Sequence, residues 1–340
     1  SLYPNIIIQY NMSPETLIRH SKAEGAIASN GATFRKDKQG IIPQIVEKMY
    51  ETRVVTKKQM LEVKQKIETE GKSDSLVREA TILENKQMAT KILLNSLYGA
   101  MGNKYFRYFD LRVAEGVTTT GQKVIQHGES AVNDFLQKAM GDDKDRVIAM
   151  DTDSLYVGVG DIVNKFCKDD PVDFLDKFAK EAIEPVLEKA YTKFAEDTNA
   201  FTNRMVMGRE VIADRGIWTA KKRYILNVFD NEGVRYAKPK LKVMGIEAVK
   251  SSTPMICRDA MKEMFKIIVQ GDEKKTQEAI KTFKDSFKQL PPQAIGFPRG
   301  VSSVSDYVDK TQIYRKGTPI HSRGSILYNY YLKKNGLDKK

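Results

Sequence analysis

The sequence predicts an α+β fold, and three observations carry that prediction. Apolar residues recur at helical spacing from Pro43, break at Gly71-Lys72-Ser73-Asp74 and resume to about Leu97, the pattern of two antiparallel helices. Val147–Gly158, VIAMDTDSLYVG, is a short apolar run interrupted by two acids, as in a strand or hairpin. Two further strand-like stretches, Met205–Ala213 and Trp218–Phe229, follow one another, and the helical pattern returns beyond Gly245.

Taken in order, Ser1–Tyr10 (SLYPNIIIQY) is expected as a strand end or turn at Pro4, then a β-branched run. Ser13-Pro14-Glu15 has the signals of a short helix start, and Thr33–Ile42 those of a hairpin turning at Lys38-Gln39-Gly40. Pro43 sits where a helix begins, and Ile45, Met49, Val54, Met60, Leu61, Val63 and Ile67 supply its spacing. The second helix runs from Ser75 to about Leu97, and Gly99–Gly102 is expected as a turn. Ala114–Leu136 reads as a long helix. Pro171–Glu196 reads as an amphipathic one, with Phe174, Phe178, Ala182 and Ile183 on one side and a kink at Pro185. Trp218–Phe229 should end in a turn at Asp230-Asn231-Glu232-Gly233. Helices over Thr253–Gln270 and Lys274–Leu290 precede a Ser/Gly/Pro-rich tail, and no internal repeat is visible.

The 340 residues are enough for two or three domains. With 56 Lys+Arg against 44 Asp+Glu the net charge is +12, which favours a polyanionic partner such as nucleic acid. The two cysteines, Cys167 and Cys257, form no metal-binding pair and argue against a disulfide framework. No apolar run approaches the ~18 residues of a membrane span, and no signal peptide is recognisable. The opening inside an apolar segment at Ser1 is that expected of a fragment.

In an extended chain, residues two apart share a face, so Asp151 and Asp153 are expected to project together with Thr152 pointing away. Two carboxylates that close repel unless a cation sits between them, and a hard divalent ion with oxygen ligands answers that need. An isolated Asp-x-Asp is more often a solvated surface hairpin. Four other stretches change the balance: Ser1-Leu2-Tyr3-Pro4; Lys91 to Gly99, a K-x-x-x-N-S-x-Y-G; Lys221-Lys222-Arg223-Tyr224; and Lys242 to Lys250, KVMGIEAVK. Lys91 and Asn95, four apart on a helix, share a face, and Tyr98 and Gly99 follow one turn on. There a base could stack and a backbone could approach closely. Arg53 and Lys57 are likewise four apart on the other helix, and three cations on two facing helices can grip a triphosphate. Surface polarity is the bland alternative for each of these groups.

SLYP, K-x-x-x-N-S-x-Y-G, DTDS and KKRY, in this order, resemble family B DNA-dependent DNA polymerases. MGRE, WTAKKRYIL and MGIE-x-x-KSSTP are most similar to the replicative enzymes of T-even-type tailed phages. The resemblance implies a right-hand polymerase core with an antiparallel palm sheet, helical-hairpin fingers and a mainly helical thumb. It divides the chain into palm (1–42), fingers (43–98), palm again (99–245) and thumb (246–340), truncated at both ends. It implies that Asp151 and Asp153 are catalytic and bind two Mg2+ ions, Asp151 with the firmer role, and that Glu210 is an acid near the same site. Arg53, Lys57 and Lys91 would hold the triphosphate with Asn95 nearby, helped by backbone amides around Ser1 and Leu2. Tyr3 would lie under the sugar, where a ribose 2′-hydroxyl clashes. Lys221, Lys222, Arg223 and Tyr224 would meet the primer strand from alternating sides of a strand, with Lys242 and Lys250 extending the grip.

The implied partners are primer–template DNA, dNTPs and, through sequence beyond Lys340, a sliding clamp and other replisome proteins, with no membrane. The implied setting is the cytoplasm of an infected bacterium and a virus-encoded chain. The sequence departs from the family twice. The first motif is D-x-x-S-L-Y-P, and the chain begins at its Ser, so the chain alone is expected to be inactive. Ala149-Met150 stands where relatives carry Tyr-Gly, and Met150 would crowd the primer terminus. A catalytically inactive polymerase-like DNA-binding protein, or one piece of a split polymerase, is the alternative.

Overall fold

The computed structural model describes residues 2–19 and 24–338, so Ser1 lies outside the described residues. The chain divides into two units, one of Ser1–Asp214 with Asn227–Lys240, the other of Arg215–Leu226 with Leu241–Lys340. Helices and small sheets fall in separate stretches, an α+β arrangement.

The first unit opens with α1 (Leu2–Gln9), where a strand end or turn was expected. Ile6, Ile7 and Ile8 are all essentially inaccessible, so this β-branched run is buried on every side and shows no amphipathic period. Pro4 near the helix start lacks an N–H that would be unsatisfied there anyway. Ser13–Thr16 is a single turn, not a helix: the Thr16 hydroxyl bonds back to the carbonyls of Ser13 and Asn11. The expected hairpin at Thr33–Ile42 is also replaced. Strand β2 (Thr33–Phe34) pairs backwards with β1 (Ala26–Ile27), antiparallel.

Helix α2 (Ile41–Glu70) then begins two residues before Pro43. It ends at Gly71, and α3 (Asp74–Met101) starts from Ser73, whose hydroxyl accepts the Leu76 N–H at 3.3 Å. The two pack as a hairpin. Gly99 lies inside α3, so the turn expected at Gly99–Gly102 begins only after Met101. The long α4 (Leu111–Met140) is capped by Asp110 and closed by Gly141 at φ +73°. Its Val113, Val117 and Val124 join the isoleucines of α1 in the core.

Strands β3 (Val147–Asp151) and β4 (Ser154–Val157) form an antiparallel hairpin, followed by α5 (Gly160–Phe166). The expected helix over Pro171–Glu196 is three pieces: α6 (Pro171–Phe178), a π-helical turn (Ala179–Ile183) and α7 (Glu184–Asp197). Pro185 has no N–H to continue the α ladder, and the Glu184 N–H reaches five residues back to Ala179. The irregularity thus falls in the turn before the proline. Phe174 and Phe178 stack, ring centres 6.0 Å apart.

Arg204–Glu210 is irregular where a strand was expected. The buried Gln9 replaces strand pairing there: its Oε1 accepts the N–H groups of Arg204 and Met205 at 2.8 and 3.1 Å. Strands β5 (Val211–Ala220), β6 (Arg223–Asn231) and β7 (Val234–Met244) make a three-stranded sheet in that order. The expected strand Trp218–Phe229 is therefore broken by a turn at Lys221-Lys222, while the Glu232-Gly233 turn falls within the predicted Asp230–Gly233 span.

In the second unit, Ile225, Ile246 and Val269 form a small core. A 3₁₀ turn (Glu247–Val249) leads to α8 (Met255–Gln270) and α9 (Glu273–Phe287). The tail is more ordered than its composition suggests. It holds one-turn helices α10 (Pro292–Ile295) and α11 (Val304–Tyr307), a pair β8 (Val308–Asp309) and β9 (Ile313–Tyr314), and the 15-residue α12 (Ile320–Lys334). No helix of the described residues is long and apolar enough to cross a membrane.

Candidate functional site

The acidic hairpin is anchored at its base. Asn133 on α4 accepts the N–H groups of Arg146 and Val147 through one side-chain oxygen, at 2.9 and 3.0 Å. The Arg146 side chain is fully buried, and its guanidinium bridges Asp142 (2.7 Å) and Asp161 (2.8 Å). That guanidinium holds the Asp142 carboxyl down to about 2 and also lowers Asp161. The Gly158 N–H bonds the Arg146 carbonyl at 2.7 Å, closing the hairpin's open end.

At the other end, the register pairs Met150 with Leu155 and Asp151 with Ser154, so Thr152 and Asp153 are the two turn residues. The expected alternation, with Thr152 pointing away, gives way to a turn. Asp153 is exposed at the tip, and the Thr152 hydroxyl donates to Asp151 Oδ1 at 3.1 Å. Thr152 holds φ +54°, a left-handed conformation costly for a β-branched residue. Ile148 and Met150 are exposed on the strand that leads to Asp151.

Tyr3 on α1 lies beside Tyr98 on α3, ring centres 4.8 Å apart and planes at 56°. Burial, then Tyr98 and Asp153, raise the Tyr3 phenol above its ordinary value. A cleft of about 490 Å³ opens beside it, with Leu2, Lys57, Asp153, Glu210 and Glu232 in its wall. Lys57 of α2 is ion-paired there with Glu232 in the β6–β7 turn. The Glu232 N–H in turn bonds the Glu210 carbonyl at 2.6 Å. Arg209, next to Glu210, is fixed between Asp176 and Asp230.

Leu2, Lys57, Asp153 and Glu210 therefore share one cleft, with Tyr3 and Tyr98 packed together nearby. Arg53 (buried), Lys91 (half-buried), Asn95 and Gly99 (both exposed) lie on the same helical hairpin but do not line this cleft. The sequence reading missed Glu232, Asn133 and Arg146. Only the turn signal around Glu232 could have drawn attention to it, and no spacing pairs it with Lys57.

In the second unit, Lys221 and Lys222 are exposed at a turn, not on alternating sides of a strand, and Lys222 holds φ +63°. Gly245 stands against this turn at φ +67°, and a Cβ there would overlap the Lys222 carbonyl oxygen. Arg223 and the exposed Lys250 both pair with Glu247, the latter at 2.9 Å. Tyr224 is buried beside Trp218, and Lys242 is half-buried.

No group of three or more His, Cys, Asp or Glu able to hold a metal is found among the described residues. Carboxylates such as those of Asp151 and Asp153 are the ligand type Mg2+ takes, since it uses few protein oxygens and completes its shell with water and substrate phosphate.

The model of DNA polymerase family B matches residues 1–308 of the chain. The DNA-directed DNA polymerase of Enterobacteria phage T4 is 34% identical over 399 aligned residues, covering 96% of this chain and 44% of that protein. That of Escherichia phage RB69 is 35% identical over 406, covering 98% and 45%. DNA polymerase 1 of Pyrococcus abyssi (strain GE5 / Orsay) is 28% identical over 301, covering 87% and 33%. The chain spans a little under half the length of the two phage relatives.

Proposed function

The chain belongs to DNA polymerase family B, and from that premise we propose that it carries the nucleotidyl-transfer site of a template-directed DNA polymerase. The substrates are primer–template DNA and dNTPs, and the products are the extended primer and pyrophosphate. The observation that carries this reading is a cleft lined by Asp153 of the acidic hairpin tip, by Lys57 and by Leu2, whose neighbour Tyr3 packs on Tyr98.

In this reading residues 1–42 and 99–245 are palm, 43–98 fingers and 246–340 thumb. Asp151 and Asp153 hold Mg2+, which when bound lowers the pKa of the primer 3′-hydroxyl and stabilises the leaving pyrophosphate. Arg53, Lys57 and Lys91 neutralise the triphosphate, with Asn95, Ser1 and Leu2 alongside. Tyr3 packs under the sugar, and Tyr98 and Gly99 face the incoming base. Glu210 supports the acids from the cleft wall. Lys221, Lys222, Lys242 and Lys250 meet DNA phosphates, with Arg223 and Tyr224 holding the turn that carries the first two. The host is a phage-infected bacterium, whose cytoplasm is the site of action, and a sliding clamp and replisome proteins are further partners.

The test is primer extension with dNTPs and Mg2+ by the chain carrying the family's Asp-Xaa-Xaa ahead of Ser1. Asp151→Asn removes several kcal/mol of charge stabilisation and should cost roughly a thousandfold in rate while DNA binding persists. Extension retained in Asp151→Asn overturns the catalytic assignment. The exposed Met150 beside the acids favours one other reading, a polymerase-like chain that binds DNA without catalysis. Absence of Mg2+-dependent incorporation by the chain carrying Asp-Xaa-Xaa ahead of Ser1, with Asp151 intact, would select it.

A further inference from the structure

The helix that carries Lys57 is held at three points by one hairpin. Lys57 pairs with Glu232 in the β6–β7 turn, the Arg235 N–H donates to Gln65 Oε1 at 3.0 Å, and Lys240 pairs with Glu68. Lys57 and Glu68 fall on nearly the same face of α2, about 16 Å apart along its axis. The Lys240 ammonium also lies 4.0 Å from the centre of the Tyr236 ring. The hairpin end is fixed as well. Asp230 accepts from Arg209, from Arg235 (3.3 Å) and from the Gly233 N–H (2.9 Å).

The Lys57–Glu232 pair is only partly buried, with 31% and 21% of the two side chains exposed. It sits in the wall of the 490 Å³ cleft with Asp153, Glu184 and Glu210, against the cations Lys57, Lys180 and Arg209. Four carboxylates face three cations there, so a polyphosphate meets repulsion while Glu232 remains at its post. A lysine ammonium is a compact point charge on a flexible stem, able to change anionic partners without changing its backbone.

We propose that Glu232 is a displaceable stand-in for nucleotide phosphate. Its carboxylate occupies Lys57 in the nucleotide-free chain and yields it to an incoming dNTP, which loosens α2 from the β6–β7 hairpin. Glu232 is a positioning residue in this scheme: it touches the ligand's cation, not the reacting atoms. The inference rests on the reading of Lys57 as a triphosphate ligand.

The experiment titrates the chain, bound to a primer–template duplex in Mg2+, with a fluorescent dATP. Glu232→Gln keeps the side chain's shape and removes its charge. It should tighten dATP binding about fivefold, the factor corresponding to a partly exposed ion pair. Glu232→Asp, which keeps the charge, should retain the weaker affinity. In a Lys57→Gln background, where affinity is already lowered, Glu232→Gln should change nothing further. A gain of affinity is not a consequence of misfolding, so the sign separates this role from a structural one. If Glu232→Gln leaves binding unchanged or weakens it while Lys57→Gln weakens it, the stand-in role is overturned and Lys57 keeps its assignment. If Lys57→Gln has no effect on dATP binding, the assignment of Lys57 falls and takes this inference with it.

Discussion

Substituting Gly99 by alanine should raise the stability of the fold and lower its activity, and the opposed signs make it informative. Gly99 lies in the last turn of α3 with no left-handed backbone, and beyond its own helix a Cβ there meets no atom of the described residues within 4 Å. Nothing among the described residues asks for glycine there. In a helix interior alanine is favoured over glycine by about 0.8–1.0 kcal/mol, and a terminal turn delivers roughly half of that. Thermal unfolding followed by circular dichroism should therefore shift upward by about 1–2 °C. If the open space is where a base pair and its backbone approach Tyr98, the added methyl should weaken dNTP incorporation about tenfold, or ~1.4 kcal/mol. A lowered melting temperature would refute the claim that the space is free. A raised melting temperature with unchanged incorporation would refute the claim that it is kept for a ligand.

Two further perturbations test the supports of the site. Arg146 lowers the Asp142 carboxyl from its usual 3.8 to about 2. A group depressed in the folded state stabilises it fully above the unfolded value and loses that contribution as pH falls through the folded one. Hydrogen-exchange protection of Val147–Val157 should therefore decline between those two values, and Asp142→Asn should flatten that part of the profile. An identical profile in the variant would exclude the clamp. Gly245→Ala adds a Cβ onto the Lys222 carbonyl oxygen at φ +67°, which should cost about 3 kcal/mol or more in the second unit. DNA affinity in low salt should fall with it while Mg2+-dependent dATP binding is kept; unchanged DNA affinity would remove the Lys221-Lys222 turn from the interface.

What the sequence made legible was carried by long periodicity and by punctuation. The α2–α3 hairpin follows from the apolar spacing after Pro43 and from the Gly71–Ser73 break, and α4 from its own period. The family was legible too, because its motifs are short runs in fixed order. Local conformation at those motifs was not. The Ile6–Ile8 run has strand propensity but is buried all round, so packing decided for helix. The Asp-x-Asp alternation assumed an extended chain, and a two-residue turn built on Thr152 replaced it without any glycine to announce it. The KKRY segment failed in the same way at Lys222. Glu232 was invisible as a partner because it lies 175 residues from Lys57, and ion pairs across such distances leave no periodic trace.

Three turns that carry proposed site residues share one backbone feature, and that is itself evidence about the site. At three hairpin tips a non-glycine residue takes a left-handed backbone: Thr152 at φ +54°, Lys222 at +63° and Glu232 at +54°. Glycine would adopt each without strain, whereas an L-residue there costs roughly 1–2 kcal/mol. At Thr152 the side chain returns part of that cost by bonding Asp151, and at Glu232 it does so by pairing with Lys57. Strain kept at a turn is an argument for function when the side chain, rather than the backbone, has the work to do. Replacing Thr152 by glycine should then relax the turn and stabilise the β3–β4 hairpin while freeing the Asp151 carboxylate from its hydroxyl partner. If Thr152→Gly instead raises Mg2+-dependent incorporation along with stability, the hydroxyl contributes nothing to the acids, and the strain at this tip needs another cause.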